Sequence, residues 1–108
     1  MDKIGFIGFG SMGGALLQSL LQYGAFSQKE VLVSTRTKEK IKGLIFKFPK
    51  VQIADSNIEL AKESRTIFIG VKTGDVRNVL LEIRPHLQPD VHLILITGGL
   101  TTRNIAKI

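Results

Sequence analysis

Gly8-Phe9-Gly10-Ser11-Met12-Gly13 follows directly on the apolar stretch Lys3-Ile4-Gly5-Phe6-Ile7 and leads into Ala15-Leu16-Leu17-Gln18-Ser19-Leu20-Leu21. This is the pattern of a strand passing through a glycine-rich turn into a buried helix, with Gly24 as the helix stop. The chemistry that suits it is anion binding. Gly8 permits a tight turn, Gly10 lets backbone approach a pyrophosphate with no side chain between, and Gly13 lets the new helix pack close to the strand. The phosphates would rest on the helix N-terminus, where unpaired N–H groups and the positive end of the helix dipole favour anions without any charged side chain. Glycine-rich turns also follow strands for purely steric reasons. The strand before this one and the helix after it favour a dinucleotide site.

A second set of polar residues falls where the next strand should end, at Ser34-Thr35-Arg36-Thr37. In an NAD-preferring fold a carboxylate about 20 residues after the glycine turn holds the adenosine ribose. No acid stands here. Arg36 is suited to stack on adenine and to bind a 2′-phosphate through charge-assisted hydrogen bonds, with Ser34, Thr35 and Thr37 as further donors. The cofactor expected is therefore NADP(H), with NAD(H) possible. A purely structural alternative has Arg36 capping surface carbonyls and Thr37 capping the following helix, and the two roles are compatible.

Other residue types offer less. His86 follows a helix and His92 begins a strand at the opposite edge from the expected crevice, so both are assigned surface or packing duty. Lys72 lies near the end of the fourth strand, where it would orient a cofactor or meet an anionic substrate. Asp75 is expected to cap the next helix. Ser11 sits inside the phosphate turn with no histidine partner, which argues against hydrolase chemistry. The chain has no cysteine and two isolated histidines, so no metal is implied.

The elements that must position these residues alternate along the chain. Strands are expected at Lys3 to Gly8, Val31 to Thr35, Val51 to Ala54, Thr66 to Val71 and His92 to Thr97, several apolar on both faces as a covered parallel sheet demands. Helices are expected from Ser11 to Tyr23, Lys38 to Phe48, Asn57 to Glu63 with Asp55 or Ser56 as cap, and Asp75 to Ile83. This succession gives an α/β fold, a doubly wound parallel sheet of the Rossmann type with right-handed crossovers. Pro49, Pro85 and Pro89 fall between elements. Thr101 or Thr102 is expected to cap a further helix running to Ile108, which implies a larger parent.

At 108 residues the chain forms one domain, able to bury ~65% of its unfolded surface and so to fold without staples. The absence of cysteine excludes disulfides and thiol catalysis and is compatible with a reducing cytoplasm. The first apolar run is cut by glycines, and none is long enough for a signal peptide or a membrane span. The net charge is +6, much of it from Arg36, Lys38, Lys40, Lys42, Lys47 and Lys50. These residues form no stripe with exposed aromatics and no nucleic-acid motif, so a solvated helix face, and a basic neighbourhood attractive to phosphate, is the reading adopted.

The opening Ile4-Gly5-Phe6-Ile7-Gly8-Phe9-Gly10-Ser11-Met12-Gly13, together with Ser34-Thr35-Arg36-Thr37, resembles the N-terminal domain of pyrroline-5-carboxylate reductase. The resemblance continues through Ile69-Gly70-Val71-Lys72, similar to that family's Ala-Val-Lys-Pro segment, and Thr97-Gly98-Gly99-Leu100-Thr101, similar to its Ala-Gly-Val/Ile-Thr turn. It implies that Val71 and Lys72 flank the ribose and nicotinamide, and that Gly98 and Gly99 leave room for nicotinamide and an imino-acid substrate. It further implies hydride transfer from NAD(P)H to a cyclic imino acid, giving proline. The family adds a helical C-terminal domain that dimerises and completes the substrate site, so residues 1–108 correspond to the dinucleotide-binding domain of a homo-oligomeric parent and would be inactive alone. Thr73 replaces the family's proline, and Gly70 and Thr97 replace alanines, which loosens the expectation of full reductase competence. Two alternatives stay open: a related reductase or β-hydroxyacid dehydrogenase with another substrate, and a non-catalytic NADP(H)-sensing or interaction module.

Overall fold

The computed structural model describes residues 3–8, 11–35, 38–71, 73–96 and 103–105. Its elements follow in the order β1 (Lys3–Ile7), α1 (Ser11–Gln22), β2 (Val31–Ser34), α2 (Lys38–Lys47), β3 (Gln52–Ile53), α3 (Asn57–Glu63), β4 (Ser64–Ile69), α4 (Thr73–Ile83), β5 (His92–Leu95) and β6 (Arg103–Ile105). Short 3-10 turns at Gln28–Glu30 and Arg84–His86 precede β2 and follow α4. The sheet runs β3-β2-β1-β4-β5-β6. Its first five strands are parallel and β6 returns antiparallel to β5.

Side-chain alternation along the strands divides the core between the two faces of the sheet. Phe6, Val31 and Val33 point to one face and pack with Leu17 and Leu21 of α1 and Ile41 and Leu44 of α2. Ile7, Leu32, Ile67 and Ile69 point to the other and pack with Leu60 and Ala61 of α3 and Val79 and Ile83 of α4. All four residues of β2 are buried, as a central strand covered by helices on both sides requires. On the first face Phe6 and Phe68 stack with centroids 4.6 Å apart, and Phe26 meets Phe6 edge-on at 6.5 Å.

Two glycines carry distinct parts of this packing. An added Cβ at Gly5 would collide with Leu60 Cδ2 and lie 2.7 Å from Ser64 Oγ, so the bare backbone of β1 is what lets α3 sit down on the sheet. Gly24 has φ +74° and ends α1 with paired bonds from its own N–H to the Leu21 carbonyl and from Ala25 N–H to the Leu20 carbonyl. This is the left-handed glycine stop that terminates many helices.

The doubly wound parallel sheet matches the expectation from the sequence, and three local expectations are corrected. Residues 103–105 pair with β5 in the register Leu93↔Ile105, Ile94↔Asn104 and Leu95↔Arg103, where a helix capped by Thr101 or Thr102 was expected. A helix that short repays its nucleation poorly, whereas the free edge of β5 offers ready-made hydrogen-bond partners. The fourth helix begins at Thr73, so Asp75 lies inside its first turn and is not its cap. The connection from β4 is three residues long, Gly70 to Lys72. β4 itself starts at Ser64, the residue that ends α3, two positions before the expected start.

Candidate functional site

In an open parallel sheet, ligands bind beyond the carboxyl ends of the strands where the strand order reverses. Here the reversal lies between β1, which leads leftward to β2, and β4, on its other side. The carboxyl ends are tied together at one level. Gly8 N–H donates to the Ser34 carbonyl at 2.8 Å, Gly70 N–H to the Ile7 carbonyl at 2.8 Å, and Ile96 N–H to the Ile69 carbonyl at 2.9 Å. The carboxyl ends of β1, β2, β4 and β5 therefore lie on a common edge.

Gly8 adopts φ +89°, a backbone conformation that side chains disfavour. A Cβ there would also stand 2.8 Å from the Gly70 carbonyl oxygen and 2.8 Å from Val71 Cγ1. The turn after β1 is thus pressed directly against the turn after β4. Beyond it α1 starts at Ser11, and its own first turn holds no acidic residue to oppose an anion.

At the end of β2 lies a cleft of about 570 Å³ lined by Ser34, Thr35, Asp55, Asn57, Asn78 and Glu82, among others. Its size suits a small-molecule moiety. Ser34 is 6% exposed, and its hydroxyl donates to Asn57 Oδ1 at 2.5 Å. The Asn57 amide nitrogen donates in turn to Glu82 Oε1 at 2.9 Å. The start of α3 is fixed by Ser56, whose hydroxyl accepts from Glu59 N–H at 3.1 Å, while Glu59 reaches back to accept from Asp55 N–H at 3.2 Å.

Of the residues singled out from the sequence, the structure brings Gly8, the head of α1 at Ser11, Met12 and Gly13, Ser34, Thr35 and Val71 to this edge. Phe9, Gly10, Arg36, Thr37, Lys72, Gly98 and Gly99 lie outside the described residues. His92 begins β5 at the far end of the sheet and is exposed, and His86 lies in the 3-10 turn after α4. Among the described residues no group of three or more His, Asp or Glu could hold a metal ion. No helix among them is long and apolar enough to cross a membrane.

Sequence reasoning missed Asn57, Asp55, Asn78 and Glu82 as lining residues. Asn57 and Glu82 are 23 and 25 positions from their partners. No local spacing reports that contact, which exists only because α3 and α4 share one face of the sheet. The only available signal was the position of Ser56 and Asn57, after β3 and so at the carboxyl edge.

A doubly wound sheet with a glycine turn at its switch point and a polar cleft at the end of β2 defines a Rossmann-type α/β domain. The chain belongs to the family described as NADP oxidoreductase, coenzyme F420-dependent, whose model matches residues 3–99. It is 35% identical over 105 residues to the pyrroline-5-carboxylate reductase of Escherichia coli K12, covering 97% of this chain and 39% of that protein. It is 33% identical over 105 residues to ComE operon protein 4 of Bacillus subtilis, covering 97% of this chain and 38% of the relative. Among solved structures it resembles Plasmodium falciparum pyrroline carboxylate reductase with NADP bound, with a TM-score of 0.74 and 30% identity over 92% of this chain and 34% of that one. The chain thus spans less than two-fifths of the length of these proteins.

Proposed function

We propose that this chain is the NADP(H)-binding domain of an oxidoreductase of the pyrroline-5-carboxylate reductase type. The observation that carries the reading is the left-handed Gly8 turn, packed on Gly70 and Val71 at the head of an α1 whose first turn is free of acids. Backbone at Gly8, Phe9, Gly10, Ser11, Met12 and Gly13 would hold the pyrophosphate, and Ser34, Thr35, Arg36 and Thr37 the adenosine ribose and its 2′-phosphate. Val71, Lys72, Gly98 and Gly99 would border the nicotinamide and the substrate. When bound, the cofactor supplies hydride to the carbon of a cyclic imine, and the protein's share is to bind, orient and keep water away. The similarity to pyrroline-5-carboxylate reductases of more than twice this length supports placing residues 1–108 as one domain of a larger protein. A helical C-terminal domain would then dimerise and complete the substrate site. In that arrangement the chain alone binds cofactor and turns over poorly, and the whole protein forms proline.

The test is a side-by-side titration of the chain with NADPH and NADH at fixed salt by calorimetry. NADPH should bind more tightly. Arg36→Asp should weaken NADPH at least tenfold, as expected for the loss of a charge-assisted phosphate contact of about 1.5–3 kcal/mol, while NADH changes less than twofold. Equal losses for both cofactors would remove the assignment of Arg36. Binding of neither by folded protein would remove the cofactor reading.

A further inference from the structure

The end of the sheet opposite the cleft carries two exposed aromatic rings among lysines. α1 and α2 run back from the carboxyl ends of β1 and β2, so their last turns lie at the amino ends of the strands. Leu20 and Leu21 near the end of α1 and Ile45 and Phe48 near the end of α2 pack into one cluster, which holds the two helix ends in one layer. Tyr23 and Phe46, close to those residues in sequence, are each 88% exposed. The core uses neither ring. Phe46 stands one helical turn after Lys42 and beside Lys47, both exposed, and exposed Lys50 follows. Lys50 N–H donates to Gln28 Oε1 at 3.1 Å, and Lys3 Nζ donates to the Lys29 carbonyl at 2.8 Å, so Lys3, Lys29 and Lys50 gather at the same end. Glu30 in that turn already accepts from Ser27 N–H at 3.1 Å. The sequence led to the expectation that the α2 lysines have no exposed aromatic among them. Phe46 corrects it, because Ile41 and Leu44 fill the buried side of α2 and helical spacing turns residue 46 outward.

We propose that this end of the molecule docks on an anionic lipid surface, with the Phe46 and Tyr23 rings entering the headgroup boundary and Lys42, Lys47, Lys50 and Lys29 meeting lipid phosphates. Charge decides the occupant. A second copy of this chain would set lysines against lysines, whereas an anionic surface complements them. Lysine is a hydrated point charge on a flexible apolar stem, which suits a diffuse layer of phosphates with the stems lying along the lipid. Single-stranded nucleic acid is gripped by aromatics set within a basic groove, whereas an exposure of 88% leaves both rings standing clear of any wall. Rings so placed at the ends of two helices can enter a flat interface together. Such docking leaves the carboxyl edge of the sheet facing away from the membrane, and it is independent of what binds there.

The test is co-sedimentation of the chain with vesicles of phosphatidylcholine alone and with vesicles containing one-third phosphatidylglycerol. At about 50 mM salt partition into the anionic vesicles should be at least tenfold stronger, and at about 500 mM the preference should fall below twofold. Phe46→Ser should weaken binding to the anionic vesicles about tenfold, the loss expected when one phenyl ring no longer leaves water, with an unchanged urea midpoint because the ring packs on nothing. The double substitution Lys42→Glu with Lys47→Glu should abolish the anionic preference. Leu81→Ser, on α4 at the other face of the sheet and 54% exposed, should leave partition unchanged. Equal partition into both kinds of vesicle, or none into either, would overturn the proposal. So would a Phe46→Ser variant that partitions like the wild type. Binding of oligo-dT that Phe46→Ser weakens, with no retention on anionic vesicles, would assign the surface to nucleic acid instead.

Discussion

Gly8 concentrates two constraints in one residue, since its φ of +89° and its contact with the turn after β4 must both be violated by any side chain. Gly8→Ala should therefore cost about 2–4 kcal/mol, the sum of a left-handed backbone penalty and an overpacked contact. Urea unfolding would read this as a lower midpoint. Gly43 in α2 is the control, because a Cβ there meets nothing within 4 Å and Gly43→Ala should stabilise by about 0.5–1 kcal/mol through helix propensity alone. If both substitutions behave alike, the Gly8 turn is not under the strain described. The glycine spacing made the need for Gly8 legible in the sequence, but only for the tightness of the turn. Its contact with Gly70 was not legible, because it depends on β1 and β4 being neighbours. The same holds for Ser34, which the sequence offered as a donor to a 2′-phosphate and whose hydroxyl the fold pairs with Asn57.

At the level of elements, strand and helix identity was readable because apolar residues alternate in the strands and recur at helical spacing between them, and the five parallel strands and four helices fall where that pattern put them. The ends were less readable. The last segment pairs as β6 because an edge strand was available to it, a circumstance no local pattern encodes. The start of α3 is the end that matters most to the cleft, since Asn57 is its first residue. α3 has only seven residues, too few to be stable through its own hydrogen bonds, and its position depends on the bond between Ser56 and Glu59 and on Leu60 packed against Gly5. Ser56→Ala should cost about 1 kcal/mol of stability, measured by urea unfolding. An unchanged midpoint would mean that the bond between Ser56 and Glu59 does not hold the start of α3.

For the molecule as a whole, the excess of 15 basic over 9 acidic residues acts at a distance that the local cleft chemistry does not. Asp55 and Glu82 place negative charge beside the end of β2, while exposed Lys42, Lys47 and Lys50 lie on and after α2, with Lys50 N–H bonded to Gln28 before the start of β2. Contacts inside the cleft are short and partly shielded from solvent, so salt weakens them little. The attraction of the basic surface for a phosphate-rich ligand is long-range and falls away as the Debye length shrinks from about 10 Å at 0.1 M toward 3 Å at 1 M. NADPH carries an additional 2′-phosphate and so draws more on the screened component than NADH does. Raising salt from 50 mM to 500 mM should then weaken NADPH several-fold more than NADH, and the preference for NADPH should narrow without reversing. Parallel salt slopes for the two cofactors would mean that the 2′-phosphate sits outside the basic field, and that discrimination must come from direct contacts alone.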